Sequence, residues 1–171
     1  MQNRGIYHAA GLSYEGSRDQ GFGEHLVELY GNSRRPIKPY NAGGGSPLEQ
    51  VKNTHKYQKF NGCEKVYVVH DGDRRETAEA LELADKYGYE TILAHRTIED
   101  ELLRILPNVT VKQRSKAART TDAAKEVFME VCKLDSINGA VDWKKYFPKS
   151  LLDKARETSS WLDQFISAIE G

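Results

Sequence analysis

The sequence has few of the features that mark a secreted or membrane protein. It contains only two cysteines, Cys63 and Cys132, which have neither the spacing of a zinc site nor that of a disulfide framework. No apolar run approaches the length that spans a bilayer, and the first residues lack the apolar core of a signal peptide. We therefore expect a protein of the reducing cytoplasm that has no membrane contact.

The chain also has no excess of charge of either sign. Its 171 residues include 25 Lys and Arg and 25 Asp and Glu, so the formal net charge is +0. A neutral chain has no long-range attraction for nucleic acid, so contact with a polyanion must come from local basic patches or from a bound metal. The length suits one domain with a small helical appendage.

Residues 65–73, with the sequence KVYVVHDGD, are the most informative stretch. The run is short, apolar and rich in β-branched residues, which predicts a buried strand. Ligands of open α/β sheets bind beyond the carboxyl ends of the strands, where Asp71 and Asp73 follow on either side of Gly72. Neighbouring carboxylates repel each other unless a cation lies between them, and oxygen ligands suit Mg²⁺ or Mn²⁺. The alternative is an ordinary turn, in which Asp-Gly is common.

Hydrophobic periodicity predicts alternating strands and helices before residue 107. We expect strands at residues 5–14, 34–40, 65–73 and 89–94, and helices at residues 17–30, 47–60, 74–88 and 98–106. Strand–helix–strand units at this spacing make parallel strands with right-handed connections. The expected fold is therefore α/β, with a mostly parallel sheet flanked by helices and a C-terminal helical extension.

The C-terminal part is predicted to be mainly helical. We expect an edge strand at residues 109–114, a helix at 121–134, an irregular segment at 139–148 and a final helix at 150–169. We place a catalytic domain at residues 1–115 and a packed extension at residues 116–171. The apolar stripe of the last helix indicates docking onto the sheet, with a homodimer as a second use.

Other acidic residues share the position of Asp71. Glu15 follows the first predicted strand, and Glu99 follows the strand after residue 89. If these strands are parallel neighbours, their carboxylates meet at one edge of the sheet, where Glu15 is our candidate for proton transfer. Alternatively, Glu15 and Glu99 are helix-start acids that offset the helix dipole, and Glu101 could replace Glu99 as a ligand.

Basic residues form two groups that could hold phosphate. Arg74 and Arg75 directly follow the aspartates, and a second group lies in the most basic window of the chain. A solvated charged surface is the alternative. The predicted nucleic-acid-binding residues are Arg74, Arg75, Lys112, Arg114, Lys116 and Arg119.

These motifs resemble a known domain. Glu15 after a strand, together with the sequence VYVVHDGD at residues 66–73, resembles the glutamate and Asp-x-Asp signature of the Toprim domain. That domain occurs in topoisomerases, bacterial primases, OLD-family nucleases and RloB-like proteins. The order of elements is most similar to the RloB-like family, through residues 45–48, 76–87 and 97–99.

The resemblance implies a compact Toprim sheet and a nuclease role in defence against phage or mobile DNA. It implies Mg²⁺ or Mn²⁺ as cofactor. The residues that it assigns to both catalysis and metal binding are Glu15, Asp71, Asp73 and Glu99. The aromatic-rich run that follows the equivalent of Glu99 in the family is replaced here by the sequence DELL at residues 100–103.

The expected function is therefore metal-dependent cleavage of DNA or RNA, with or without an activating protein partner. Two alternatives come from other classes. One is a non-catalytic module that keeps the Toprim shape and binds a partner. The other is a phosphohydrolase of the haloacid-dehalogenase kind, which would need its Asp-x-Asp motif near the start of the domain and would leave Glu15 without a role.

Overall fold

The computed structural model describes residues 9–43, 45–57, 60–73, 77–136 and 139–171. Within them the chain forms a four-stranded sheet, and all strand pairs are parallel. The strands are β1 (Ala10–Tyr14), β2 (Ile37–Asn41), β3 (Lys65–His70) and β4 (Glu90–Leu93). The helices are α1 (Ser17–Tyr30), α2 (Pro47–Lys56), α3 (Thr77–Lys86), α4 (Ile98–Ile105), α5 (Val111–Ala117), α6 (Thr121–Cys132), α7 (Trp143–Tyr146), α8 (Lys149–Arg156) and α9 (Ser160–Glu170). The predicted α/β class is confirmed.

The strand order places a topological switch point between the first and third strands. The sheet has the order β2-β1-β3-β4. From β1 the chain crosses to β2 on one side, and it then returns past β1 to β3 and β4 on the other. The direction of winding therefore reverses between β1 and β3. In parallel α/β sheets, such a switch point opens a crevice at the carboxyl ends of the two strands.

The two faces of the sheet pack against different helices. Leu12 and Tyr14 of β1 and Val69 of β3 belong to a large core that also contains residues of α1, α4, α6 and α9. On the opposite face, Val68 packs in a smaller cluster with residues of α2 and α3. Because alternate residues of a strand point to opposite faces, this division follows directly from the sequence of β3.

The edge strand predicted at residues 109–114 is wrong, because this segment forms the start of α5. The Thr110 hydroxyl accepts the Gln113 backbone N–H at 3.2 Å, and the Gln113 side-chain oxygen accepts the Thr110 N–H at 3.0 Å. This reciprocal capping box begins a helix. The β-branched residues favoured a strand, yet Val111 is 83% exposed and has no sheet to pack against.

Other predicted boundaries also change. The single helix expected at residues 150–169 is two helices, α8 and α9, and Ser159 caps the second by accepting the Leu162 N–H at 3.3 Å. The segment at residues 139–148 contains the short helix α7. Helix α2 ends at Lys56 rather than near residue 60. The predicted start of the helix at residues 74–76 lies outside the described residues.

The C-terminal helices share the core of the sheet. Phe22 of α1 stacks on Trp161 of α9, with ring centroids 5.9 Å apart, and meets Phe165 edge-on at 6.0 Å. Helix α5 runs across the boundary placed at residue 115, so the exact division into domain and extension stays a prediction. In the part of the chain that the structure describes, no helix is long and apolar enough to span a membrane.

Candidate active site

Two acidic residues leave the sheet side by side at the switch point. Tyr14, the last residue of β1, pairs with Val69 of β3. Glu15 follows β1 directly and is buried, and Asp71 follows β3 directly. Adjacent parallel strands thus bring both carboxylates to the same edge of the sheet, as the sequence predicted.

The electrostatics of Asp71 reveal two further members of the cluster. Burial raises the pKa of Asp71 to about 8, and the charges of Asp19, Glu15 and Glu99 contribute in that order. Burial likewise raises the pKa of Asp19 to about 7, with added repulsion from Glu99 and Glu15. We call Glu15, Asp19, Asp71 and Glu99 the acidic cluster. The charges of Glu15 and Glu99 lie close enough to oppose the ionisation of Asp19 and Asp71.

Asp19 was not predicted as a site residue. Its carboxylate accepts the backbone N–H of Gly16 at 3.1 Å, which helps to begin α1. The available signal was its position four residues after Glu15, which is about one helical turn. Acids at the start of a helix are common without any ligand, so the sequence alone does not single out Asp19.

Hydrogen bonds also hold Asp71 and Glu99 of the acidic cluster in place. Asp71 Oδ1 accepts the backbone N–H of Ile98 at 3.1 Å, which ties the end of β3 to the first turn of α4. Glu99 on the same turn accepts a charged hydrogen bond from Arg18 Nη1 at 2.7 Å. The Arg18 guanidinium also lies over the Phe128 ring, 5.4 Å from its centroid. One cation of the protein therefore already faces the acidic cluster.

Asp73 was predicted to join Asp71 at the site, but its surroundings differ from those of Asp71. It is exposed in the turn after β3. Its charge is not among those, all from described residues, that raise the pKa of Asp71. A role for Asp73 as a metal ligand stays a prediction.

Gly72 allows the turn after β3 to approach the turn after β4. Its N–H donates to the carbonyl of Arg96 at 2.8 Å. A Cβ atom at this position would collide with the carbonyl oxygen of Ala94 and would lie 2.7 Å from that of His95. Glycine is therefore needed for this close backbone contact rather than for an unusual backbone angle.

The other two acids of α4, Asp100 and Glu101, interact with residues of the turn after β4. Glu101 Oε1 accepts the His95 N–H at 2.8 Å. Asp100 pairs with Arg104 at 2.9 Å and lies 3.9 Å from Arg96. Both carboxylates thus have partners in the protein, and neither replaces Glu99 in the electrostatics of Asp71.

A buried glutamine holds the two strands together beneath the site. The Gln50 side-chain amide of α2 donates to the carbonyl of Val69 at 3.0 Å and to that of Ser13 at 3.3 Å.

His70 is also buried, and neither ring nitrogen has a hydrogen-bond partner within the described residues. Burial lowers the pKa of His70 to about 4, so its ring is neutral at pH 7.

The predicted phosphate-binding residues differ in their exposure and in their bonding partners. Arg74 and Arg75 lie outside the described residues. Lys112 and Arg119 are exposed, and Lys116 pairs with Glu126 at 3.1 Å. Arg114 donates to the carbonyls of two residues at the end of α4, Leu103 and Leu106, at 3.0 and 2.9 Å. A contact of these residues with nucleic acid stays a prediction.

The donor chemistry of the acidic cluster fits a divalent cation in part. In the described ranges, no group of three or more His, Cys, Asp or Glu side chains is arranged to hold a metal ion. Mg²⁺, however, keeps several waters and is commonly held by one or two carboxylates. Asp71 together with Glu15 or Asp19 meets that smaller requirement, whereas Glu99 is already engaged by Arg18.

The chain matches no protein-family model, and neither a curated protein nor a solved structure matches it. The likeness to the Toprim domain therefore rests on the motifs and their positions. The parallel sheet, with Glu15 after β1 and Asp71 after the adjacent β3, is consistent with that fold.

Proposed function

We propose that the protein is a divalent-metal-dependent phosphodiesterase that cleaves nucleic acid. The observation that carries this proposal is the convergence of the acidic cluster at the carboxyl ends of β1 and β3. Four neighbouring carboxyl groups, with the pKa values of Asp71 and Asp19 raised, need protons or a cation to be stable there. A polyanionic substrate would also be repelled by this site unless its charge were balanced.

The chemistry of the site divides between cofactor and protein. A bound Mg²⁺ or Mn²⁺ ion would balance the charge of a phosphodiester and lower the pKa of a bound water. Asp71, held by the N–H of Ile98, is our first choice of ligand. Glu15 is buried beside it and is assigned to moving a proton during cleavage.

Arg18 and Glu99 are assigned to positioning. Their 2.7 Å pair links α1 to α4 and keeps a guanidinium next to the carboxylates. Such a group can donate to phosphate oxygens as charge develops in the transition state. We place DNA or RNA as the substrate class and defence against phage or mobile DNA as the wider role. A homodimer or an activating partner is compatible with this assignment.

One observation favours a second candidate, a non-catalytic partner-binding module. The Arg18–Glu99 pair already neutralises one carboxylate, so part of the site is stable without metal. No comparable feature favours the haloacid-dehalogenase alternative. Its nucleophile would be Asp71, which follows the third strand rather than the first.

Cleavage by the purified chain tests the proposal. Single-stranded and duplex DNA, bulk RNA and tRNA would be incubated with Mn²⁺, Mg²⁺ or EDTA. We expect cleavage of at least one substrate with metal and none with EDTA. Asp71→Asn should abolish cleavage. The matched change Asp85→Asn, at an exposed position of α3, should have no effect.

The Glu15→Gln variant separates proton transfer from metal binding. It should keep metal affinity and lose about two to four decades of rate, the usual scale of general acid–base catalysis. Unchanged cleavage by this variant would remove Glu15 from the mechanism. A protein that binds metal yet cleaves none of the substrates would instead favour the partner-binding module.

A further inference from the structure

A large cavity includes Gly72, the residue after Asp71, in its wall and has no role in the mechanism above. It has a volume of about 980 Å³ and lies between the end of β4 and helices α4, α8 and α9. Its wall begins at Gly72, the residue between the two aspartates. This volume is at the upper end of the range for pockets that bind small organic ligands. A substrate strand at the acidic cluster could therefore extend into it.

One part of the cavity wall is apolar. Leu93 at the end of β4 is 37% exposed, which makes it one of the two large apolar residues exposed in the described chain. Ile105 of α4 and Leu151 of α8 also line the cavity, together with Pro107. Apolar side chains next to a polar site can pack against the face of a nucleobase.

Another part of the wall carries positive charge. Lys154 of α8 lines the cavity, is exposed and has no carboxylate within ion-pair distance in the described residues. Arg104 of α4 uses Nη2 to bind Asp100, but a guanidinium has five N–H donors. The acidic lining residues are Glu101, whose Oε1 accepts the His95 N–H, and Glu157. Lys154 and Arg104 are therefore available to an anionic group.

The start of α9 adds donors to the same wall. Ser160 and Trp161 are its first two residues, and the first N–H groups of a helix have no intrahelical acceptor. Trp161 is only 4% exposed, and its indole N–H has no acceptor in the described part of the chain. The indole N–H has almost no accessible surface, so this wall offers an external acceptor the first backbone N–H groups of α9 instead.

We infer that the cavity binds one nucleotide of a single-stranded nucleic acid. The base lies against Leu93, Ile105 and Leu151, and the phosphate lies between Lys154, Arg104 and the start of α9. The choice of a nucleic-acid strand rests on the proposed function, and the inference adds the path of that strand. The strand leaves the acidic cluster past Gly72 and continues toward the C-terminal helices.

Tryptophan fluorescence can report binding in the full-length chain. The sequence has two tryptophans, so Trp143→Phe leaves Trp161 as the single reporter at the cavity wall. This variant would be titrated in EDTA with a single-stranded trinucleotide, a mononucleotide and inorganic phosphate. We expect saturable quenching, with the trinucleotide binding more tightly than either smaller probe.

Substitutions in the wall locate the binding. Lys154→Gln and Arg104→Gln should each weaken trinucleotide binding by about fivefold or more, because each removes a charged hydrogen-bond donor. Lys86→Gln, at an exposed position of α3, is the matched control and should leave trinucleotide affinity unchanged. Thermal unfolding of each variant would verify that it is folded. Lys154 is an exposed residue, so its variant keeps the test decisive if Arg104→Gln is unstable.

Two results would overturn the inference: no saturable signal, or equal affinity in wild type and Lys154→Gln. Inorganic phosphate binding as tightly as the trinucleotide would overturn the nucleotide assignment. The assay needs neither metal nor cleavage. Trinucleotide binding at the cavity without cleavage would support the inference while contradicting the proposed function. Unchanged cleavage by a variant that no longer binds the trinucleotide would support the proposed function while contradicting the inference.

Discussion

At the residue scale, Asp71 and Asp19 make stability depend on pH in a defined direction. Their pKa values in the folded protein are raised to about 8 and about 7, mainly by burial. The folded protein therefore holds protons that the unfolded chain releases near pH 4. The resulting stabilisation is complete below that pH and is lost as pH rises through the folded pKa values. His70, with its pKa lowered to about 4, changes stability only below about pH 6.5.

We predict that the metal-free chain loses stability between pH 6.5 and 8.5. Each carboxyl group that stays protonated only in the folded state lowers stability by about 1.4 kcal/mol per pH unit. Asp71→Asn should flatten this decline and be more stable than wild type at pH 8.5 in EDTA. Urea unfolding at several pH values measures the effect, with Asp85→Asn as the control. Parallel curves for wild type and Asp71→Asn would show that Asp71 ionises normally.

Gly72 gives a second prediction at this scale. Gly72→Ala should lower the free energy of unfolding by about 1–3 kcal/mol, since its Cβ meets two backbone carbonyls that cannot rotate away. It should also reduce cleavage by displacing Asp71. Gly16→Ala is a suitable control because the nearest atom to its Cβ, Asp19 Oδ2, is 3.8 Å away. Equal unfolding curves for the two variants would contradict the close contact.

The sequence predicts site residues only where strand ends reveal them. Glu15 and Asp71 follow apolar strands directly, so their meeting follows from parallel pairing. Asp19 and Gln50 lie on helices, where their positions depend on how each helix crosses the sheet. That crossing is set by packing of the whole core, which no local pattern encodes.

At the scale of elements, Arg114 connects two helices. Its guanidinium donates to the carbonyls of Leu103 and Leu106, which lack intrahelical partners because α4 ends there. Local patterns predict that this region is basic, but not that one of its cations is bound to backbone. The same limit explains the strand expected at residues 109–114, whose side chains satisfied a β pattern while Thr110 and Gln113 began a helix.

We predict that two basic residues of α5, separated by one position, affect the stability of the protein differently. Arg114→Gln should lower the free energy of unfolding by about 1–3 kcal/mol, because it leaves carbonyls at the end of α4 without donors. Lys112→Gln, on the exposed side of α5, should be neutral within about 0.5 kcal/mol. Urea unfolding of both variants provides the test. Equal stability would mean that Arg114 is free to contact nucleic acid instead.

At the scale of the whole molecule, the C-terminal helices complete the core rather than stand apart from it. Phe22 is surrounded by aromatic rings from α7 and α9, and Phe165 is fully buried. The apolar stripe of the last helix, which predicted docking onto the sheet, is buried within this core. A homodimer stays a prediction and would need another surface.

We predict that Phe165→Ala destabilises the full-length chain by about 3–5 kcal/mol, as expected for deleting a buried ring. The neighbouring exposed Gln164 is the control, and Gln164→Ala should be nearly neutral. Urea unfolding followed by fluorescence would measure both. A small effect of Phe165→Ala would mean that the C-terminal helices are an independent appendage.

The central claim is that the acidic cluster holds a divalent cation at the β1–β3 switch point. Calorimetric titration of Mn²⁺ into the full-length chain tests it most directly, using wild type, Asp71→Asn and the exposed control Asp85→Asn. We predict saturable binding to wild type and to Asp85→Asn, and at least a tenfold loss of affinity, or about 1.4 kcal/mol, in Asp71→Asn. Equal Mn²⁺ affinity in all three proteins, or no binding to any of them, would contradict the claim.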